Sequence, residues 1–211
     1  MRGKSFLVLS AIILLMVITT VFAAEMTENQ RNELDGLTEL CKVDAATAEI
    51  CIKTMRTTNL LAHLSVNRRC TFPTQEEIAK KFKRFDMDMF TYFLPKMVSD
   101  NCIEGEEVFV TLLTAKELGE NDGLIDIDQL SDGMKKINFK PADWTILFPF
   151  AEKYPYLQKA YMILFLGSVW QPEQTLPSVP LLRAYAGERI IGLHALTGFC
   201  SSECRFATVK M

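Results

Sequence analysis

Six cysteines constrain this chain more than any other feature: Cys41, Cys51, Cys70, Cys102, Cys200 and Cys204. Four crowd the first half, two lie near the end, and residues 103–199 contain none. An even number in a chain bound for export reads as a disulfide set, although spacing alone does not choose among the 15 pairings that six cysteines allow. One economical arrangement ties Cys200 and Cys204 back to the N-terminal group. Loops of about a hundred residues would then stabilise by roughly 4–5 kcal/mol per bond through loss of unfolded-state freedom. A local Cys200–Cys204 bond is the competing arrangement and would constrain little. The same pair has metal-like spacing, but no second pair with neighbouring histidines completes a four-ligand set.

The case for export rests on the N-terminus. Arg2 and Lys4 precede an apolar run from Phe6 to Phe22, and Val21 and Ala23 place small residues ahead of a cleavage point after Ala23. The reading is a signal peptide over residues 1–23 and a mature domain over 24–211, with a soft boundary near 100–105. The alternative is a membrane tether formed by an uncleaved signal anchor, since Phe6 to Ala24 approaches the ~20 residues a bilayer span needs. No second span follows. Cleavage lowers Lys+Arg from 23 to 21 against 26 Asp+Glu, a net charge of −5, which argues against a nucleic-acid partner. No Asn-x-Ser/Thr sequon is present.

Apolar spacing along the mature chain predicts a succession of helices, and the expected fold class is all-α. Thr27 or Asn29 caps a first helix carrying Leu34, Leu37 and Leu40/Cys41, and Asp44 caps a second running to about Leu64. Thr74 and Glu77 form a capping-box pattern ahead of Ile78, Phe82, Phe85, Met89 and Tyr92/Phe93, with Pro95 ending or kinking the helix. Further helices are expected over Glu106–Leu118, with Phe109, Leu112 and Leu113 inward, and over Asp128–Ile137. Another starts at Pro141. Leu157–Leu166 is apolar on nearly all sides, as in a buried helix. Ser178 and Pro180 start a last helix holding Leu182, Tyr185, Ile190 and Leu193, closed by Gly198.

Between two of these expected helices lies KELGENDGLIDIDQL, Lys116 to Leu130. Its acidic residues around a central glycine resemble the calcium loop of the EF-hand family over about residues 109–137. With Gly123 at the sharp turn, the resemblance implies calcium held by Glu120, Asp122, the Leu124 carbonyl, Asp126 and Gln129. Leu118 and Gln129 stand where the family has an acidic first ligand and a closing Glu, and no partner hand is evident. The plainer reading is a turn in which Asp126 or Asp128 caps the next helix.

Catalytic patterns are absent. The two histidines, His63 and His194, sit among apolar neighbours, and no nucleophile elbow, zinc-protease pair, P-loop or dinucleotide loop occurs. Lys80, Lys81, Lys83 and Arg84 read as the wet side of a helix whose dry side carries Phe82 and Phe85, with an acidic partner or membrane surface as the functional alternative. Arg68-Arg69 matches a dibasic processing pair. Fourteen Phe and ten Met suit either a core or an adaptable apolar binding surface. The function expected from sequence is therefore a secreted, non-enzymatic binder of a protein or lipid-like ligand. An extracellular EF-hand-like module stands second and a secreted enzyme third.

Overall fold

The computed structural model describes residues 35–39, 41–42, 45–57, 61, 63–85, 102–120, 123–124, 126–171, 176–196, 199–200 and 204–211. The N-terminal segment read as a signal peptide lies outside them, as do Thr27, Asn29, Asp44, Met89, Tyr92, Phe93, Pro95 and Asp122.

The architecture is a curled mixed sheet with helices against it, so the all-α expectation is overturned. The strands are β1 (Leu64–Asn67), β2 (Arg84–Phe85), β3 (Glu107–Leu113), β4 (Gly123–Leu124), β5 (Phe139–Pro141), β6 (Met162–Leu164), β7 (Ser178–Tyr185), β8 (Glu188–Ala195), β9 (Phe199–Cys200) and β10 (Cys204–Lys210). The helices are α1 (Ala45–Thr57), α2 (Gln75–Lys81), α3 (Ile127–Lys136), α4 (Trp144–Lys153) and α5 (Leu157–Ala160), with a short helical stretch at residues 35–39. The main sheet runs β1-β3-β10-β6-β7-β8-β2. One edge of β10 takes β3 antiparallel, and the other takes β6 parallel and then β5 antiparallel. β4 and β9 form a separate antiparallel pair.

Two of the expected helices are strands. Glu106–Leu118 is mostly β3, whose first four residues alternate exposed and buried, the period of a strand. Val108, Val110 and Leu112 face one side of the sheet while Phe109 is exposed, so the inward-facing trio expected there is not formed. The expected C-terminal helix is the β7–β8 hairpin, paired from Ser178↔Ala195 to Tyr185↔Glu188. Leu157–Leu166 divides into the single turn α5 and strand β6, because Tyr161 at the helix end turns to extended backbone (φ −136°, ψ 152°).

The capping box forms as its residues dictate. Thr74 Oγ1 accepts from the Glu77 amide at 3.2 Å and Glu77 Oε2 accepts from the Thr74 amide at 2.7 Å. The helix it starts stops at Lys81, however, and Phe82 turns to extended backbone ahead of β2. The cap of α4 is Asp143 rather than Pro141, which lies in β5. Pro149 sits inside α4 without breaking it. Its missing amide would leave the Thr145 carbonyl free in a regular helix, and the Arg69 amide donates to that carbonyl at 3.0 Å.

Alternation along the strands sorts side chains onto two faces. Val110, Ile163, Leu182, Ile191, Ala207 and Val209 point into the larger core, shared with α1, α2, α4 and α5. Leu113, Leu164, Leu181, Leu196 and Phe206 point into the smaller one, closed by Leu118 and by Leu130 and Met134 of α3. α4 is buried at six of its first seven positions, which is why its sequence is apolar all round.

Candidate ligand-binding groove

On the outer side of the larger core, α1 and the α5 segment leave a groove between them. Ala48, Glu49, Ile52 and Lys53 of α1 face Tyr156, Lys159 and Ala160 across a cavity of about 570 Å³. The spacing explains the lining. Positions 48 and 52, and 49 and 53, stack on one helix face at i,i+4, while 156, 159 and 160 do the same across the turn of α5. The size falls within the ~300–1,000 Å³ typical of small-molecule sites.

Ala48, Ile52 and Tyr156 are buried, and the side chains at the rim are charged. Lys53 stands on one wall and Lys159 on the other; Glu49 lies one turn before Lys53. Among the described residues none of these three forms an ion pair. The lysines of the expected basic helix differ. Lys80 pairs with Glu76 at 2.9 Å, Lys81 with Glu152 at 2.6 Å and Lys83 with Glu188 at 3.0 Å. Only the first pair lies within α2, since Lys81 reaches α4 and Lys83, beyond the helix end, reaches β8; the Arg189 guanidinium lies 4.4 Å from the Phe82 ring on the buried side.

Behind the groove, Tyr156 is held by its hydroxyl. It donates to Thr38 Oγ1 at 3.2 Å and lies 3.9 Å from Met55 Sδ. Burial drives its ionisation well above the ordinary tyrosine range, so the ring stays neutral. Cys41 and Cys51 belong to the same buried cluster and are both free thiols. Burial, and then the contact with Cys51, push the Cys41 thiol up to about 12.

The other residues singled out in the sequence are dispersed. Cys70 is bonded to Cys102 with Cα atoms 5.7 Å apart, just beyond the β1–β3 pair. None of the four N-terminal cysteines is joined to the C-terminal pair, so the long loop closure does not form. Cys204 is disulfide-bonded and buried, while the side chain of Cys200 lies outside the described residues. In the acidic loop, Asp126 Oδ1 accepts from the amides of Asp128 at 3.0 Å and Gln129 at 3.2 Å, which is the N-cap of α3. The Leu124 backbone pairs with Phe199, and Glu120 is half-buried. The chain enters this loop from β3 and a 3-10 turn at Lys116–Leu118, and no group of three potential metal ligands occurs among the described residues.

His63 and His194 are half-buried and their ionisation is lowered, first by burial and then by the positive charges of Lys210 and Arg183 respectively. Among the described residues no carboxylate acts on either to raise it. Arg68 is held by Glu106 at 2.9 Å and Asp143 at 3.2 Å, and Arg69 by Glu77 at 3.4 Å. The dibasic pair is thus built into the structure. Among the described residues no helix is long and apolar enough to cross a membrane.

Sequence reasoning missed the groove itself. The i,i+4 stripe of α1 was available, but its opposite wall lies about a hundred residues away, and no local signal links the two. Comparison with protein-family models, curated proteins and solved structures gave no match.

Proposed function

We propose that this chain is an exported binding protein whose α1–α5 groove takes a lipid-like ligand with an anionic head. The observation that carries the reading is the combination of an apolar floor with a lysine on each wall. An aliphatic body would displace water from Ala48, Ile52, Tyr156 and Ala160, at about 25 cal/mol per Å² of apolar surface covered. Lys53 and Lys159 would meet a carboxylate or phosphate from either side, with Glu49 disfavouring a second negative group. Export is supported by the N-terminal apolar run and by the Cys70–Cys102 disulfide, which suits an oxidising compartment.

The test is isothermal titration of dodecanoate and of dodecanol into the mature protein. Dodecanoate should bind more tightly than dodecanol, and Lys53→Ala/Lys159→Ala should weaken the acid about tenfold, or ~1.4 kcal/mol, while leaving the alcohol nearly unchanged. Ala160→Trp, checked for folding by circular dichroism, should abolish both. No saturable binding of dodecanoate, or equal binding by a folded Ala160→Trp variant, would refute the groove as the site.

A further inference from the structure

Among the described cysteines, only Cys41 and Cys51 are free thiols, and the fold buries both in one cluster. Cys41 lies in the turn that follows residues 35–39, with its amide donating to the Leu37 carbonyl at 2.9 Å. In α1, Ala48, Cys51, Ile52 and Met55 form the buried stripe at i, i+3, i+4 and i+7. Cys41 is buried in the same cluster as that stripe. Tyr156 ties the two segments together, its hydroxyl donating to Thr38 Oγ1 at 3.2 Å and lying 3.9 Å from Met55 Sδ, and Cys51 is near enough to act on the Cys41 proton. The exposures of Cys41 and Cys51 are 4% and 3%, so both are shielded from bulk solvent.

We infer that Cys41 and Cys51 close a disulfide in the exported protein, fastening the turn ahead of α1 to the helix that forms one wall of the groove. The two thiols share one buried cluster, from which an S–S bond of about 2.0 Å would close by side-chain rotation. In the bond-forming step the two thiols lose two protons and two electrons. A disulfide oxidant of the secretory compartment takes them up and leaves as two thiols. Exchange requires a thiolate, and in the finished fold burial holds the Cys41 proton on. The bond therefore closes while α1 is still docking, when both sulfurs remain open to the oxidant. Once closed, it is sealed under Tyr156. The inference rests on the export reading, and Cys70–Cys102 supplies an internal control for it.

The experiment is non-reducing tryptic mapping of protein secreted from cells, with free thiols alkylated under denaturing conditions before digestion. Trypsin cuts after Arg31, Lys42 and Lys53, so Cys41 and Cys51 fall on separate peptides, 32–42 and 43–53, each with one cysteine. The expected result is a linked pair of these peptides, two hydrogens lighter than their sum and separated by reductant. Alkylated Cys41 and Cys51 beside an intact Cys70–Cys102 link would overturn this inference while leaving export standing. Alkylation of all four would overturn both. A link from either cysteine to any other would also overturn the pairing.

Discussion

The Tyr154 hydroxyl supplies what a neighbouring strand would otherwise provide. β1 is an edge strand, paired only with β3, and the Ser65 backbone faces away from that partner. Tyr154 Oη accepts from the Ser65 amide at 3.0 Å and donates to the Ser65 carbonyl at 2.9 Å, pairing both groups where Tyr154 and Ser65 are buried. Tyr154→Phe keeps the ring in the core and leaves two buried backbone groups unpaired. It should cost about 1–3 kcal/mol, read as a lower urea midpoint with an unchanged slope. An unchanged midpoint would mean that water reaches Ser65 in the folded protein. Residue-scale features were legible where they are local. The Thr74–Glu77 box and the Asp126 cap could each be read from neighbours three positions apart. Tyr154 and Ser65 are 89 residues apart, and nothing near either one announces the other.

At the scale of elements, the sequence misled where apolar residues happened to fit two periods. Leu182, Tyr185, Ile190 and Leu193 recur at steps close enough to helical spacing to suggest one long helix. Their neighbours carry the contrary signal: Val179 and Ile191 are β-branched, and Ala186-Gly187 stands midway between the two runs. Both turn residues have positive φ, 51° and 79°, so the hairpin is closed by a two-residue turn of the type whose twist matches its strands. Gly187 adopts that conformation without penalty, whereas the Ala186 Cβ meets the following carbonyl. Asparagine tolerates this region and Asn-Gly is the favoured pair. Ala186→Asn should therefore stabilise by about 1 kcal/mol and raise the melting temperature. Ala186→Pro at the same place should destabilise, since its ring fixes φ near −65°. A fall in melting temperature for the asparagine variant would show that the turn is formed differently in solution. The same ambiguity hid β3, where Val108 and Val110 gave the period of a strand while Leu112 and Leu113 continued an apolar run.

The whole molecule is organised around its last strand, which is the part least visible from local pattern. β10 joins β3 to β6 and also carries β5, and its Phe206, Ala207, Thr208 and Val209 are all buried. Phe206 packs into the smaller core while Ala207 and Val209 pack into the larger, so this one strand contributes to both. Each of its pairings joins residues far apart in sequence, from Cys204↔Met162 to Val209↔Val110. Such contacts leave no periodicity behind, because a central strand covered on both faces reads as a short apolar run. The topology also delays folding: β1–β3 and β7–β8 can pair early, but the two halves of the sheet have no shared strand until β10 arrives. Deleting residues 204–211 should therefore remove the cooperative transition altogether rather than lower its midpoint. The truncated chain should show no sharp urea unfolding, exchange most of its amides quickly, and bind a hydrophobic dye through its uncovered sheet. A chain ending at Glu203 that still unfolds in one cooperative step would mean that β3 and β6 associate without the strand between them, and the central place given to β10 would be wrong.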